Sequence, residues 1–270
     1  MRFFEKGGQK MPTLGYGTFK LSGEACENGV QVAIETGYRH IDTARMYGNE
    51  KEVGKGIKNS GIERKELFVT SKIPPDNLSP EQIRQETENS LRALDMDYVN
   101  LMLIHWPNFD IPLEKSLETF FQLKEEGKIN AVGVSNFTIE LTRKAAKVGE
   151  IFTNQVEYHP LLDQQKLLDA TRELDILLTA YSPIARGEVN EQVTIKQIAE
   201  KYNKLPTQVT LRWLIQQDKV AAIPKAAKEN HIKSNFDIFD FELTDEEMQQ
   251  MDAVRNDHRL VDPTWAPNWD

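Results

Sequence analysis

Asp42 and Tyr47 put a carboxylate and a phenol into one short segment, Tyr38 to Glu50. Asp42 closes a short apolar run and is expected at the end of a strand, whereas Tyr47 follows in the loop before a helical pattern begins. A loop phenol held near a strand-end carboxylate suits acid–base chemistry. Taken alone, the segment is equally consistent with a buried strand and a turn capped by Asn49. The remaining strands decide between these interpretations.

Groups that can donate, accept or stack follow every apolar run that reads as a strand. The predicted strand ends are Thr18, Asp42, Lys72, His105, Ser135 with Asn136, Gln155 with His159, Tyr181 with Ser182, and Lys225. In a barrel of parallel strands the active site lies at the carboxyl ends of the strands. These side chains are therefore expected to meet at one mouth, although they are distant in sequence.

Eight predicted strands alternate with helices, and no linker or change of composition interrupts them. This rhythm predicts an α/β protein with a (β/α)8 TIM barrel, formed as a single domain over residues 1–270. The segment Leu14–Phe19 is expected to form the first barrel strand and its exit loop, and the last strand is expected over Val220–Lys225. An N-terminal β-hairpin over Arg2–Met11, with Gly7 and Gly8 as turn residues, is expected to cap one end. An extra helix from Thr244 to about Val254 and a tail containing tryptophan complete the chain.

Composition narrows the class of protein. The formal net charge is −9, from 33 basic and 42 acidic residues, which argues against a nucleic-acid surface as the main function. The single cysteine, Cys26, can form no internal disulfide, and its presence fits a reducing compartment. No apolar run is long enough to span a bilayer, and the amino end lacks the apolar core of a signal peptide. We predict a cytoplasmic protein with no membrane partner. No metal site is expected, because His40 and His258 have no paired spacing.

The types of side chain gathered at the predicted mouth suit protonation of an oxygen that gains negative charge. A phenol has an ordinary pKa of about 10, and a buried lysine beside it stabilises the phenolate. Lys72 is expected to lower the pKa of Tyr47 in this way, with Asp42 keeping Lys72 charged. His105 adds a neutral donor that can orient a carbonyl oxygen. The set fits carbonyl reduction once a hydride donor is bound.

The sequence offers a hydride donor neither of the common nucleotide-binding motifs, since neither G-x-G-x-x-G nor a P-loop is present. The donor must then bind at the barrel mouth. Tyr181 offers a flat aromatic face, and Ser135, Asn136 and Gln155 offer partners for a carboxamide. Beyond the last strand, basic side chains precede or open a helix where phosphate could bind, namely Lys225, Lys228 and His231.

The motifs resemble those of the aldo-keto reductases from end to end, and among them are similar to the bacterial 2,5-diketo-D-gluconate reductases. The matching stretches are GTF at Gly17–Phe19, GYRHIDTA with Tyr47, TSK at Lys72, HWP at His105, GVSNF, NQVEYHP, YSP, IPKAAKENHIKSN and the closing RLVDPTWAPNWD. The resemblance implies a catalytic tetrad of Asp42, Tyr47, Lys72 and His105, with Tyr47 as proton donor. It also implies NADPH, with the nicotinamide on Tyr181 and its amide held by Ser135, Asn136 and Gln155. Further implied cofactor contacts are Gly17, Thr18, Asp42, Ser182, Pro183, Ile184, Ile223, Pro224, Lys225, His231 and Asn235.

Three positions depart from the usual phosphate-binding segment of that family. Ala226 stands where a serine is usual, His231 where an arginine is usual, and Ser234 where a glutamate is usual. A neutral histidine contributes little charge toward the 2′-phosphate that distinguishes NADPH. NADPH is the preferred cofactor on this interpretation, and NADH is the second candidate.

The expected substrate is a small aldehyde, an α-ketoaldehyde or a keto-sugar acid, of the methylglyoxal or 2,5-diketogluconate type. Its carbonyl is expected between Tyr47 and His105, in a pocket walled by Phe19, Trp106 and Trp265. Pro74 stands where larger apolar or aromatic residues are common in the family, and Phe19 replaces a common tryptophan. The sequence therefore does not define the size of the substrate. The resemblance implies a monomer. Two alternatives remain: a Schiff-base lyase using Lys72, and a non-catalytic cofactor-binding barrel with a regulatory role.

Overall fold

The computed structural model describes all 270 residues and contains ten strands and ten α-helices. The strands are β1 Phe3–Lys6, β2 Gln9–Pro12, β3 Tyr16–Gly17, β4 His40–Asp42, β5 Phe68–Ile73, β6 Val99–Ile104, β7 Ile129–Ser135, β8 Thr153–Glu157, β9 Leu177–Tyr181 and β10 Val220–Ala222. The helices are α1 Gly23–Thr36, α2 Glu50–Asn59, α3 Pro80–Leu94, α4 Leu113–Glu125, α5 Ile139–Val148, α6 Gln165–Glu173, α7 Val193–Tyr202, α8 Pro206–Gln216, α9 Glu229–Phe236 and α10 Asp245–Asp252.

Strands β3 to β10 form one parallel sheet in which each strand lies beside its neighbour in sequence. The sheet closes on itself between its first and last strands, where Leu14 forms a parallel bridge with Ala222 and the Gly15 amide donates to the Ala222 carbonyl at 2.9 Å. A Cβ at Gly17 would lie 2.8 Å from the Ile223 carbonyl oxygen, so this seam requires glycine. The predicted (β/α)8 barrel is confirmed.

The N-terminal hairpin closes the amino end of the barrel. β1 and β2 pair antiparallel across Gly7 and Gly8, whose φ values of 55° and 75° are the left-handed values that a two-residue hairpin turn requires. Phe4 and Met11 of the hairpin share an apolar cluster with residues at the base of the barrel, which are Phe68, Leu101, Leu103, Ala131, Phe152, Leu177 and Ala221. The hairpin therefore acts as a plug, as predicted, and leaves the opposite end open.

Helix starts are marked by side-chain caps that the sequence signals. Ser79 Oγ accepts from the Gln82 amide before α3, and Thr244 forms a capping box with Glu247 before α10. Cys26 is buried on α1. After α10 the chain continues as a tail toward the carboxyl ends of the strands. No helix is long and apolar enough to cross a membrane.

One predicted strand is shorter than expected. The segment Leu14–Phe19 holds the first barrel strand, Tyr16–Gly17, and its exit loop, as predicted, whereas the last strand was expected to reach Lys225 but ends at Ala222. Pro224 has no amide hydrogen and cannot continue a ladder, although its carbonyl still accepts from Gly17 at 3.0 Å. Lys225 is consequently an exposed loop residue and not a strand end. Strand β5 runs one residue past Lys72.

Candidate active site

A buried ammonium group organises the open end of the barrel. The Lys72 Nζ donates to Asp42 Oδ1 at 2.5 Å, to the Thr43 carbonyl at 2.8 Å and to the Tyr47 hydroxyl at 3.2 Å. Asp42 ends β4 and Lys72 lies on the adjacent β5, so the parallel register places the two side chains together. Neither side chain is exposed by more than 2%. All three donors of the ammonium are therefore engaged, which disfavours the alternative in which Lys72 is a free amine ready to form a Schiff base.

Tyr47 reaches this ammonium because its loop is fixed from both sides. It closes a single 3-10 turn, Arg45–Tyr47, that ends at Gly48 with a left-handed φ of 65°. Arg45 donates to Glu50 at 2.7 Å and to Glu86 at 2.8 Å, and Glu50 itself is buried.

Asn49 secures the far side of the same loop. Its Nδ2 donates to the Thr18 and Leu21 carbonyls, both at 2.9 Å, and its Oδ1 accepts from Thr43. It makes no side-chain cap on α2, so the interpretation of Asn49 as a turn cap is wrong. Its role is to tie the phenol loop to the loop after β3.

The pKa values of Lys72 and Tyr47 are both raised. Burial alone would lower the pKa of Lys72, but Asp42 and Tyr47 together outweigh it, so the amine stays charged. Burial raises the pKa of the Tyr47 phenol, and Lys72 offsets this only in part because Asp42 acts against it. The expectation that Lys72 would bring the pKa of Tyr47 below its ordinary value is therefore wrong for the protein without ligands. The reason is the loss of hydration around the phenol, which is half-buried at the cavity wall.

His105 stands beside Tyr47 with its ring edge toward the phenol, the centroids being 5.6 Å apart. Burial, with Lys72 acting in the same direction, holds the pKa of His105 well below its ordinary value. The imidazole is therefore neutral near pH 7 and can present an N–H to a ligand. Its Nδ1 has no hydrogen-bond partner in the protein.

The amide side chains at the mouth are already linked to their neighbours. Gln155 Nε2 donates to Asp42 Oδ2 at 2.8 Å, which leaves the side-chain oxygen of Gln155, Oε1, without a protein partner. Asn136 donates to the His105 carbonyl and accepts from the Tyr181 hydroxyl at 2.8 Å. Ser135 donates to the Gln155 main chain at 2.7 Å. The Tyr181 ring is thereby held in place, and Gln155 retains a free acceptor.

A cavity of about 780 Å³ opens above these groups. Among the predicted site residues, it is lined by Gly17, Phe19, Asp42, Tyr47, His105, Trp106, Asn136, Gln155, Tyr181, Ser182, Pro183, Ile184, Ile223, Lys225 and Trp265. Trp106 and Trp265 pack edge to face with centroids 4.8 Å apart, and the Phe19 and Tyr47 centroids are 5.0 Å apart. The wall next to Tyr47 is aromatic.

Other predicted residues do not line this cavity. They are Thr18, Lys72, Ser135, Pro224, His231 and Asn235. Thr18, Lys72 and Ser135 are buried behind the lining, where they hold other site groups. His231 is exposed on α9 and Asn235 is buried on the same helix. Their contacts with a cofactor stay predictions.

The cavity has further lining residues that sequence reasoning did not single out: Lys20, Met46, Arg186, Leu260, Val261, Asp262 and Pro263. Met46 and Lys20 lie beside residues that were singled out, so proximity in sequence was an available signal. Arg186 has a left-handed φ of 51° in the loop after β9, a conformation its residue type does not reveal. Leu260 to Pro263 reach the cavity only because the tail folds across the mouth.

Comparison with known proteins agrees with this geometry. The sequence model of the Aldo/keto reductase family matches residues 13–256. Glyoxal reductase of Bacillus subtilis (strain 168) is 44% identical over 94% of this chain and 92% of that protein. Methylglyoxal reductase DkgB of Escherichia coli O157:H7 is 38% identical over 96% of this chain and 99% of that protein. A crystal structure of a proposed 2,5-diketo-D-gluconic acid reductase B superposes with a TM-score of 0.95 at 41% identity, covering 98% of this chain and 95% of that chain.

The chain belongs to the aldo/keto reductase family. It is an oxidoreductase that reduces carbonyl groups, and its family uses nicotinamide cofactors. The resemblance identified from the sequence motifs is confirmed.

Proposed function

We propose that the protein reduces small aldehydes, α-ketoaldehydes or keto-sugar acids with NADPH, and that Asp42, Tyr47, Lys72 and His105 carry out the chemistry. The observation that supports this most directly is the Lys72 ammonium, held between the Asp42 carboxylate and the Tyr47 hydroxyl beneath the large cavity. The buried ion pair and the phenol match a site that must deliver a proton to a developing oxyanion.

The cavity residues fit a reduced nicotinamide. Tyr181 offers a ring fixed by Asn136, and Gln155 offers an unpartnered carbonyl oxygen to a carboxamide. Lys225 lines the cavity as an exposed cation that suits a phosphate group. When bound, the nicotinamide supplies hydride to the carbonyl carbon.

The side chains of the protein supply the remaining chemistry. Neutral His105 donates a hydrogen bond to the carbonyl oxygen and orients it toward Tyr47. As negative charge develops on that oxygen, the Tyr47 hydroxyl releases its proton to it. Lys72 stabilises the resulting phenolate, and Asp42 keeps Lys72 charged and in position. The raised pKa of Tyr47 keeps its hydroxyl protonated at neutral pH.

The substrate class is supported by the relatives and by the cavity wall. The names of the relatives refer to glyoxal, methylglyoxal and 2,5-diketo-D-gluconic acid, all of which carry adjacent carbonyl or hydroxyl carbons. Phe19 lies against the phenol, and Trp106 and Trp265 line the same cavity, so the three side chains would limit the size of the group attached to the carbonyl. We propose that the chain acts as a monomeric, single-domain enzyme in the cytoplasm, where its one buried cysteine stays reduced.

Replacing Tyr47 by phenylalanine tests the assignment of the acid. Tyr47→Phe removes the hydroxyl that would donate the proton and keeps the ring, so turnover of methylglyoxal should fall by about 10²- to 10⁴-fold. The affinity for NADPH, measured by quenching of tryptophan fluorescence, should stay within about twofold. Tyr98→Phe is the matched control, because Tyr98 lies before β6 at the opposite end of the barrel. Full turnover in Tyr47→Phe would exclude this residue as the acid.

His231 tests the choice between NADPH and NADH. His231→Arg places a guanidinium in the first turn of α9, where it can bind the 2′-phosphate in a bidentate manner. The dissociation constant for NADPH should fall by about tenfold, and that for NADH should change by less than about twofold. Lys233→Arg on the same helix keeps the charge and serves as control. An equal fall in the dissociation constants for NADPH and NADH would show that the residue does not recognise the 2′-phosphate.

A further inference from the structure

Glu157 is a buried carboxylate that the proposed chemistry does not use. It is the last residue of β8 and is fully buried, yet it does not line the cavity. Its Oε1 accepts from His159 Nε2 at 2.8 Å and from the Leu260 amide at 2.7 Å, and its Oε2 accepts from the Val261 amide at 2.8 Å. One side chain therefore binds two consecutive amides of the C-terminal tail.

The same stretch of tail forms part of the cavity wall. Leu260, Val261, Asp262, Pro263 and Trp265 all line the cavity. The amides that Glu157 binds thus lie at the start of the segment that ends in the aromatic contact between Trp265 and Trp106. Moving this segment would change the wall that faces a bound carbonyl compound.

The main chain of the tail also donates to the Leu161 carbonyl, from His258 at 2.9 Å, but its other side-chain attachments are weaker or more exposed. Arg186 donates to the Leu260 carbonyl at 3.4 Å from an exposed position. Asp270 accepts from the Ile139 amide at the start of α5, and this contact is also exposed. His258 faces Glu188 with both side chains more than 40% exposed. Glu157 is the one fully buried charge among these contacts, and hydrogen bonds to a buried carboxylate are stronger than those between neutral groups.

The carboxylate is held in its charged form. Burial alone would raise the pKa of Glu157, but His159 and the Leu260 and Val261 amides outweigh it, so the pKa lies below its ordinary value. A neutral amide in its place would present an N–H group to one of the two backbone donors. Glutamine at this position is therefore expected to release at least one tail amide.

We infer that Glu157 is a positioning residue that fixes the tail segment Leu260–Trp265 as the wall of the substrate cavity, and so sets the affinity for the carbonyl substrate. This inference rests on the proposed function. Glu157 acts through the two tail amides and contacts neither the phenol nor the imidazole of the proposed catalytic set.

Glu157→Gln separates this role from a purely structural one. The KM for methylglyoxal should rise about tenfold while kcat stays within about threefold, because the tetrad is untouched and only the wall moves. Glu247→Gln is the matched control. Glu247 is also a buried carboxylate that accepts from a backbone amide and a tyrosine, but it lies on α10 outside the cavity lining. A similar rise of KM in both variants would assign the effect to lost stability and overturn the inference.

A second readout does not depend on turnover. Three of the four tryptophans, Trp106, Trp265 and Trp269, form one contact cluster at the tail. Acrylamide should quench the fluorescence of Glu157→Gln more strongly than that of the wild type or of Glu247→Gln. If the wild type reduces no carbonyl compound, the proposed function fails, whereas the quenching comparison still tests the attachment. Unchanged quenching in Glu157→Gln would show that the carboxylate does not hold the tail.

Trp265→Ala completes a double-mutant cycle. If Glu157 acts by placing Trp265, the double variant should raise KM no more than about twofold above the larger single effect. Multiplied effects would mean that the carboxylate acts by another route and would overturn the inference. Should Glu157→Gln fail to fold, Glu157→Asp retains the charge on a shorter side chain. It is expected to show a smaller rise of KM and of quenching, and wild-type values of both would contradict the inference.

Discussion

Burial moves the pKa values of Tyr47 and His105 in opposite directions, and both shifts suit the roles that we propose for these residues. The phenol is half-buried and its pKa is raised, so it holds the proton that the proposed mechanism requires it to donate. The imidazole is buried and its pKa is lowered, so it stays neutral and, in the proposed mechanism, orients an oxygen without protonating it. The same physical cause thus gives two neighbouring side chains different tasks.

These directions predict how the rate of reduction depends on pH. The pKa of His105 lies well below its ordinary value of about 6.5, and the pKa of Tyr47 lies above its ordinary value of about 10. Neither group should therefore change its protonation state between about pH 6.5 and about pH 9. The hydride-transfer rate in single-turnover experiments with NADPH and methylglyoxal should therefore vary by less than about twofold from about pH 6.5 to about pH 9. Single-turnover rates exclude product release, which often limits kcat. A rate that changes tenfold around pH 7 would mean that another group supplies the proton or that His105 titrates during catalysis.

At the scale of elements, strand ends were predictable and long-range attachments were not. Asp42, Lys72, His105 and Gln155 could be assigned to one mouth because parallel strands share the direction in which they end, whatever their separation in sequence. Hydrophobic runs and caps such as Ser79 also gave most helix limits closely. Signals of this kind are local or follow from the topology of the barrel.

The attachment of the tail depends on pairings that no local pattern specifies. Glu157 meets the Leu260 and Val261 amides across separations of 103 and 104 residues, and these amides occur in every sequence. The raised pKa of Tyr47 was missed for a related reason. Lys72 as a neighbour could be inferred from residue types, but the loss of hydration around the phenol depends on how the loops pack together. Burial is a property of the assembled barrel.

For the whole molecule, stability and chemistry lie at opposite ends of the barrel. The hairpin plug and its apolar cluster fill the amino end, and the polar site occupies the carboxyl end. His40 lies at the filled end as the first residue of β4. It is buried against Phe68 with its Nε2 3.2 Å from Thr70 Oγ1, and a Cβ at Gly15 would be 2.4 Å from its Nδ1. The His40 ring is therefore fully buried among its neighbours.

His40 should make the fold sensitive to acid. Burial lowers the pKa of His40 to about 4, with Asp42 offsetting only part of the effect, whereas the unfolded chain binds this proton near pH 6.5. The unfolded state therefore binds more protons between these values, and the free energy of unfolding should fall by about 3 kcal/mol through this residue as pH drops from about 6.5 to about 4. His40→Gln keeps a donor for Thr70 but cannot titrate.

The experiment is denaturant unfolding followed by circular dichroism. The free energy of unfolding of the wild type should exceed that of His40→Gln at pH 7, and this difference should shrink by about 3 kcal/mol near pH 4. His258→Gln, at an exposed histidine of the tail, should retain the wild-type pH dependence. Parallel curves for the wild type and His40→Gln would show that His40 binds its proton equally well in the folded and the unfolded state.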